Sequence, residues 1–118
     1  MKIPIIIVSP WFMRIVNIIN AGIVDVFAIT LFPFVICREP MSEATTRHET
    51  IHIRQQAEML VIFFYLLYYW DYMVGYFKYR NLTEAYYRIR FEQEAYANHH
   101  DEEYLDVRTP FAWTDYKI

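Results

Sequence analysis

A chain of 118 residues is long enough for one domain with a single core. Its eleven Tyr, nine Phe and three Trp against only two Gly exclude a disordered or linker-rich protein and predict an aromatic core. The net charge of -3 argues against a dedicated nucleic-acid-binding protein, which would carry a basic face. The single cysteine, Cys37, cannot form an internal disulfide and is expected to be a small buried apolar residue.

The first forty residues predict short strands and turns. β-branched and aromatic residues fill the segments 3–8 and 28–37, while Pro10 and Pro33 exclude a long helix through either segment. Pro33 limits the second segment to an edge or bulged strand, and such a strand can pair with an extended peptide. The residues between the two segments are ambiguous, with a turn predicted over residues 20–22.

The pattern then changes to helix. Ser42 is expected to cap a helix that continues into the apolar stretch 59–77, with a bend or break between residues 71 and 75. A second helix is predicted to begin at Asn81 and to run to about Tyr104. Together these elements predict an α+β, mainly helical domain over 1–118, with a small N-terminal β element against two helices.

The first predicted helix contains an H-E-x-x-H pentad, His48-Glu49-Thr50-Ile51-His52. Residues four apart on a helix lie about 40° apart around its axis, so the two imidazoles can bind one metal ion. Glu49 lies at the edge of the same face, where it can act as general base toward a water held by the metal. The alternative interpretation is a solvated helix turn with two surface histidines.

The apolar stretch 59–77 raises the question of a membrane, because Asp71 is its only charged residue and Lys78 and Arg80 follow it. Its length could just span a bilayer, but Asp71 would be costly at mid-depth. Its Tyr and Trp residues favour a buried or interfacial helix over a membrane span or a partner-protein interface. Localisation stays open between the cytoplasm and a membrane surface, and no signal peptide is expected. The aromatic content makes a homodimer plausible.

A catalytic zinc site needs a third protein ligand besides two histidines. Glu58 occupies the third-ligand position of the metzincin pattern. Gln55, however, stands where that pattern requires a glycine to turn the chain back, so a continuing helix carries Glu58 out of reach.

The second predicted helix offers a better third ligand. One stripe of this helix, at spacings of 4, 3, 4 and 3, consists of Ala85, Ile89, Glu92, Tyr96 and His99. Glu92 is thus a carboxylate on a core-facing stripe, whereas Glu94 projects about 200° away from it and is expected to be solvated. The alternative for Glu92 is a salt bridge at the helix surface, in a series with Glu84 and Arg88 at i, i+4 spacing.

The order of H-E-x-x-H, a long apolar helix and then Phe91-Glu92-Gln93-Glu94-Ala95-Tyr96 resembles the gluzincin-type peptidases of the prenyl-protein endopeptidase and beta-lactam-sensor groups. In those groups an F-E-x-x-A-D or E-x-x-C-D element supplies the glutamate ligand. The resemblance implies that His48, His52 and Glu92 bind Zn2+ and that Glu49 is the base. The segment from about Thr30 to Tyr104 also resembles a family of short bacterial and phage proteins with H-E-x-I-H-x-x-Q-Q and F-E-x-E-A-Y.

The predicted function is zinc-dependent hydrolysis of a peptide bond in a peptide or protein substrate. Tyr96 replaces the Asp that orients a ligand histidine in the larger peptidases, so Gln55 or Asn98 would have to do so. Arg88, His99 and the tyrosines are candidate donors to the oxyanion, although His99 also fits a helix-end histidine. One alternative is a non-catalytic metal-binding or membrane-proximal scaffold or interaction protein. Another is an aromatic interaction module that binds no metal.

Overall fold

The computed structural model describes residues 4–19 and 27–118, and it confirms the predicted α+β, mainly helical class. The turn predicted over residues 20–22 lies outside the described residues. The elements, in chain order, are β1 (Ile5–Val8), α1 (Pro10–Ile19), β2 (Ala28–Leu31), β3 (Phe34–Cys37), α2 (Glu43–Glu58), α3 (Ile62–Tyr79), α4 (Leu82–Arg88), α5 (Arg90–Asn98), α6 (Tyr104–Val107) and a 3-10 helix (Ala112–Asp115).

The three strands form one sheet in the order β1-β3-β2. The single strand predicted over 28–37 is in fact an antiparallel pair, β2 and β3, because Pro33 lies in the turn between them and has no N–H for a ladder. β1 pairs with β3 in parallel, with Ile6 opposite Val35. The predicted edge position therefore belongs to β2, which lies against α2. Cys37 is buried, as predicted.

Helix α2 carries the pentad and begins where the sequence predicts. The hydroxyl of Ser42 caps it by accepting a hydrogen bond from the backbone N–H of Thr45 at 3.2 Å. The break expected between residues 71 and 75 lies instead at Leu60 and Val61, whose φ angles are 55° and 59°. Helices α2 and α3 bend by 113° at this point, and α3 then runs without interruption.

Asp71 does not interrupt α3, because its carboxylate is fully buried and paired. It accepts hydrogen bonds from the backbone N–H of Arg90 at 3.1 Å and from the guanidinium of Arg90 at 2.8 and 2.9 Å. Gly75 does not interrupt α3 either. Its lack of a side chain allows α4 to approach α3 closely. A Cβ at this position would lie 3.2 Å from the Cα of Ala85.

The single helix predicted from Asn81 to Tyr104 is divided into separate helices. Asn81 caps α4 as predicted, because its Oδ1 accepts the N–H of Glu84 at 2.8 Å. Ile89, with a ψ of 126°, then separates α4 from α5. The side chain of Ile89 is fully buried in an aromatic cluster that contains Phe64, Phe91 and Trp113.

The prediction that Glu94 is solvated is wrong, since Glu94 is fully buried. The C-terminal segment folds back over its face of α5 and supplies Tyr104 and Arg108, which donate hydrogen bonds to the Glu94 carboxylate. The guanidinium of Arg108 also holds Glu58, at 2.9 and 3.0 Å. Glu58 is therefore engaged at the end of α2 and does not join the pentad, as predicted.

Among the described residues, no single helix is long and apolar enough to cross a membrane, although the bent pair α2 and α3 passes that test when taken together. The outward face of α3 is apolar along its length. Its exposed side chains include Ile62, Phe63, Leu66, Tyr69, Trp70 and Phe77. Association with a membrane surface and formation of a homodimer stay predictions.

Candidate metal centre

Three buried side chains from two helices converge between α2 and α5. The Nε2 atoms of His48 and His52 lie 3.1 and 3.0 Å from the same oxygen, Oε1 of Glu92. The two Nε2 atoms are 3.2 Å apart. This buried group could hold a metal ion. The structure thus brings together all three of the ligands predicted from the sequence.

The local sequence explains why these three side chains meet. His48 and His52 are one turn apart on α2, so both imidazoles lie on the face that packs against α5. Glu92 lies in the first turn of α5, where the helix dipole favours a negative charge. The spacing within each helix therefore presents two nitrogen donors opposite one oxygen donor.

The hydrogen bonds of Gln55 fix the proton position on His52. The amide nitrogen of Gln55 donates to the backbone carbonyl of Phe91 and to the carboxylate of Glu94, both at 3.1 Å. Its oxygen must then be the acceptor in the 2.7 Å contact with Nδ1 of His52. A neutral His52 consequently carries its proton on Nδ1 and presents a lone pair at Nε2.

That lone pair faces Oε1 of Glu92 and Nε2 of His48, an arrangement that favours a cation between the three atoms. With both imidazoles neutral and unprotonated at Nε2, His48, His52 and Glu92 bring three electron-rich atoms together in the interior. Burial by itself lowers the pKa of His52, but the adjacent Glu92 carboxylate outweighs it and raises that pKa to about 9. The centre is thus built to hold positive charge, which a proton or a metal ion can supply.

Two further contacts hold the outer atoms of the ligands. The hydroxyl of Tyr68 on α3 donates to Oε2 of Glu92 at 2.7 Å, which leaves Oε1 to face the histidines. Nδ1 of His48 lies 3.0 Å from Nδ1 of His99, the residue that caps the C-terminus of α5. Such outer partners orient ligand side chains and raise their basicity.

Glu49 lies beside the three ligands and is tied to the sheet. Its Oε2 accepts a 2.6 Å hydrogen bond from the hydroxyl of Thr30 on β2. Burial raises the pKa of Glu49, and the neighbouring His52 and His48 oppose that shift. A carboxyl group with a raised pKa, held by one oxygen, is suited to accepting a proton.

A cavity of about 450 Å³ opens onto this group. Its wall is largely aromatic and includes Phe27, Phe64, Tyr65, Tyr68, Tyr86 and Tyr96. Of the residues predicted from the sequence, His48, Glu49, His52, Glu92, Tyr96 and His99 line the cavity. The ring of Tyr96 lies edge-on to His48 with centroids 4.5 Å apart, and burial raises the pKa of Tyr96 to about 12.

Two predicted candidates lie elsewhere. Arg88 is at the surface, where it pairs with Glu84 at 2.8 Å, because the chain turns at Ile89 before it reaches the centre. Its guanidinium therefore cannot donate a hydrogen bond to a molecule bound in the cavity. Asn98 donates to the backbone carbonyl of Glu94 and to the hydroxyl of Tyr116, so it orients no ligand. Of the two orienting candidates, the structure places only Gln55 against a histidine.

The sequence interpretation missed the residues that join the sheet to the centre. The side chain of Gln56 donates to the carbonyl of Thr30 at 2.7 Å and accepts the N–H of Phe32 at 2.6 Å. The hydroxyl of Tyr65 also donates to the carbonyl of Thr30. The two consecutive glutamines after the pentad were the available signal, since buried amides need polar partners.

The fold and the site together define an α+β protein with a buried His-His-Glu group that could hold a metal ion. Comparisons of the chain with protein-family models, with curated proteins and with solved structures found no match. The function proposed below therefore depends on the geometry of the site itself.

Proposed function

We propose that the protein is a zinc-dependent peptidase of gluzincin type, in which His48, His52 and Glu92 bind the ion and Glu49 is the general base. The observation that carries this proposal is the triangle of donor atoms, with sides of 3.0, 3.1 and 3.2 Å. Adjacent ligand atoms in a tetrahedral zinc site with bonds of about 2.0–2.1 Å lie about 3.3 Å apart. The triangle is close to one face of such a tetrahedron.

The composition of the group also favours a catalytic site over a structural one. Structural zinc sites are normally closed by four protein ligands, whereas catalytic sites have three. Within the described residues, the ligand group consists of two histidines and one glutamate. The cavity adjoins these three side chains, so a reacting molecule can reach them.

A zinc ion held by this group would supply a Lewis acid that polarises a peptide carbonyl and lowers the pKa of a water molecule. Glu49 takes the proton from that water. Oε2 of Glu49 is already bonded to Thr30, so Oε1 is the oxygen left to take that proton. The proton can then pass from Glu49 to the leaving amine, as general acid catalysis requires.

His99 and Tyr96 are the donors placed to stabilise an oxyanion. When Nε2 of His48 is a ligand, its proton lies on Nδ1 and is donated to Nδ1 of His99. His99 then carries its own proton on Nε2. Burial and the neighbouring His48 lower the pKa of His99, which favours its neutral form. Tyr96 shares a hydrogen bond with Tyr86 and also lines the cavity.

The cavity wall suits an extended peptide substrate. Ala28, Ile29 and Thr30 of β2 line one side of it. Among the described strands, β2 pairs only with β3. Gln56 and Tyr65 already occupy the carbonyl of Thr30, so a substrate backbone would have to pair with the part of this edge that precedes Thr30. The aromatic side chains that also line the cavity favour apolar side chains in the substrate.

The decisive experiment compares Glu49→Gln with His48→Ala. Each variant is loaded with zinc, its metal content is measured, and a mixed peptide library is digested and analysed by mass spectrometry. We expect Glu49→Gln to retain zinc but lose hydrolysis, and His48→Ala to lose both. Glu43→Gln, a change at an exposed position in the first turn of α2, is the matched control and should behave as wild type.

Two outcomes would contradict the proposal. Hydrolysis that persists in zinc-loaded Glu49→Gln would remove Glu49 as the base. A wild-type protein that binds zinc tightly but cleaves no peptide in the library would favour the alternative, a non-catalytic metal-binding scaffold protein.

A further inference from the structure

A buried chain of hydrogen bonds connects the C-terminal segment to His52. Gln55 and Glu94 are both fully buried and lie side by side between α2 and α5. Gln55 contacts Nδ1 of His52 at 2.7 Å through its oxygen, and it contacts Glu94 at 3.1 Å through its nitrogen. Glu94 in turn binds Arg108 at 2.6 and 3.1 Å. Gln55, Glu94 and Arg108 are not members of the ligand group.

Glu94 determines which way the amide of Gln55 points. A carboxylate can only accept hydrogen bonds, so the NH2 group of Gln55 must face Glu94. The carbonyl of Phe91 imposes the same orientation, because it also accepts from this NH2 group. A flipped amide would place the oxygen of Gln55 against two acceptors in a buried site, which is costly. His52 therefore meets only the oxygen of Gln55.

Arg108 makes this arrangement possible by neutralising Glu94. Its side chain is only 3% exposed, and it lies between Glu94 and Glu58. The hydroxyl of Tyr104 adds a 2.8 Å hydrogen bond to the Glu94 carboxylate. A buried carboxylate without such partners would be strongly destabilising. The segment from Tyr104 to Arg108 thus holds in place the group that orients Gln55.

We propose that Glu94 and Arg108 are positioning residues for the metal centre, which act through Gln55 to hold the proton of His52 on Nδ1 and leave Nε2 for the ion. The inference rests on the metal centre of the proposed function, but not on any hydrolytic activity. Its consequence is that metal affinity depends on a C-terminal segment that does not touch the ligands.

The test is zinc affinity, measured by competition with a chromophoric chelator, in wild type, Glu94→Gln and Glu58→Gln. The two variants each remove one negative charge from Arg108, but only Glu94 contacts Gln55. We expect Glu94→Gln to weaken zinc binding about tenfold or more, as partners of metal ligands typically do. Glu58→Gln should stay within about threefold of wild type, since it leaves the orientation of Gln55 unchanged. Thermal unfolding of all three proteins records any general loss of structure.

A double variant provides a second, independent test. In Gln55→Glu/Glu94→Gln the new carboxylate at position 55 accepts from His52, and the new amide at position 94 donates to it. This exchange keeps the total charge and the hydrogen-bond direction toward His52, but it leaves the carbonyl of Phe91 without its donor. We therefore expect the double variant to bind zinc at least about threefold more tightly than Glu94→Gln without reaching wild-type affinity. Should Glu94→Gln fail to fold, the amide exchange of Gln55 in the wild-type protein decides the question.

The wild-type protein supplies a third readout. Both side-chain amide protons of Gln55 should exchange slowly with solvent in NMR spectra, because Phe91 and Glu94 accept them. The inference is overturned if these protons exchange rapidly or if Glu94→Gln binds zinc as wild type does. It is also overturned if Glu58→Gln loses as much affinity, or if the double variant binds zinc no better than Glu94→Gln. A wild type that binds no zinc would overturn the metal centre and this inference together.

Discussion

The hydroxyl of Thr30 on β2 donates a 2.6 Å hydrogen bond to Oε2 of Glu49 on α2. The bond joins the edge strand to the helix that carries two of the three candidate ligands. It also differentiates the two oxygens of Glu49, which lines the cavity, since the sheet holds only Oε2. The sheet thus sets the position of the candidate base relative to the ligands.

Thr30→Val should reduce hydrolysis without affecting metal content. Valine keeps the shape of threonine but cannot donate to Glu49, so the carboxylate loses its orientation. A general base contributes roughly 10²–10⁴-fold to the rate. Because the variant keeps the base but loses its orientation, we expect kcat/KM to fall by only about tenfold. Steady-state kinetics and zinc analysis check this result. Thr30→Ser keeps the hydroxyl and should behave as wild type, and equal losses in both variants would contradict the role of the bond.

Tyr68→Phe should weaken zinc binding while the protein stays folded. The lost hydroxyl is the partner of Oε2 of Glu92, and partners of this kind contribute about 10–100-fold to metal affinity. Chelator competition measures the change. Tyr72→Phe, one turn further along α3, is the matched control. If both variants bind zinc equally, Tyr68 does not orient Glu92.

Zinc should stabilise the wild-type fold. An ion that binds only the folded state at a free concentration of 100 times its Kd contributes about 2.7 kcal/mol to the free energy of unfolding. For a domain of this size we expect Tm to rise by about 10 °C. Thermal unfolding followed by circular dichroism, with zinc or with a chelator, measures this shift. Glu92→Ala should show no such rise, and a rise of the same size in that variant would place the ion elsewhere.

Asp71→Asn should destabilise the fold more than Glu84→Gln, although each change removes the acidic partner of an ion pair. Asp71 is fully buried against a partly exposed Arg90, so we expect a loss of about 2 kcal/mol in the free energy of unfolding. Glu84→Gln removes the partner of Arg88 in a pair whose side chains are both 44% exposed, and it should cost less than about 0.5 kcal/mol. Urea denaturation compares them. Similar losses would show that burial does not govern these pairs.

The three candidate ligands could be predicted because each lies in a local helical pattern. His48 and His52 share a face at a spacing of four residues, and Glu92 lies on the core-facing stripe of its helix. The helix starts at Ser42 and Asn81 could be predicted for the same reason. Capping depends on a side chain and an N–H only three residues apart.

The helix breaks and the outer contacts could not be predicted in this way. Leu60, Val61 and Ile89 are not residues that normally end a helix. Ile89 is buried in the core where the chain turns, whereas Leu60 is exposed, so no shared local signal marks the two breaks. The burial of Glu94 depends on Gln55 and Arg108, which are 39 and 14 residues away in the sequence. Helical periodicity alone carries no information about such distant partners.

The central claim is that His48, His52 and Glu92 bind one zinc ion. The most direct measurement is the zinc-to-protein ratio of purified wild type beside His48→Ala and Glu92→Ala, with circular dichroism to show that each is folded. The account predicts a ratio near one in wild type, falling sharply in both variants. A folded wild type that contains no zinc and takes up none when it is added would contradict it.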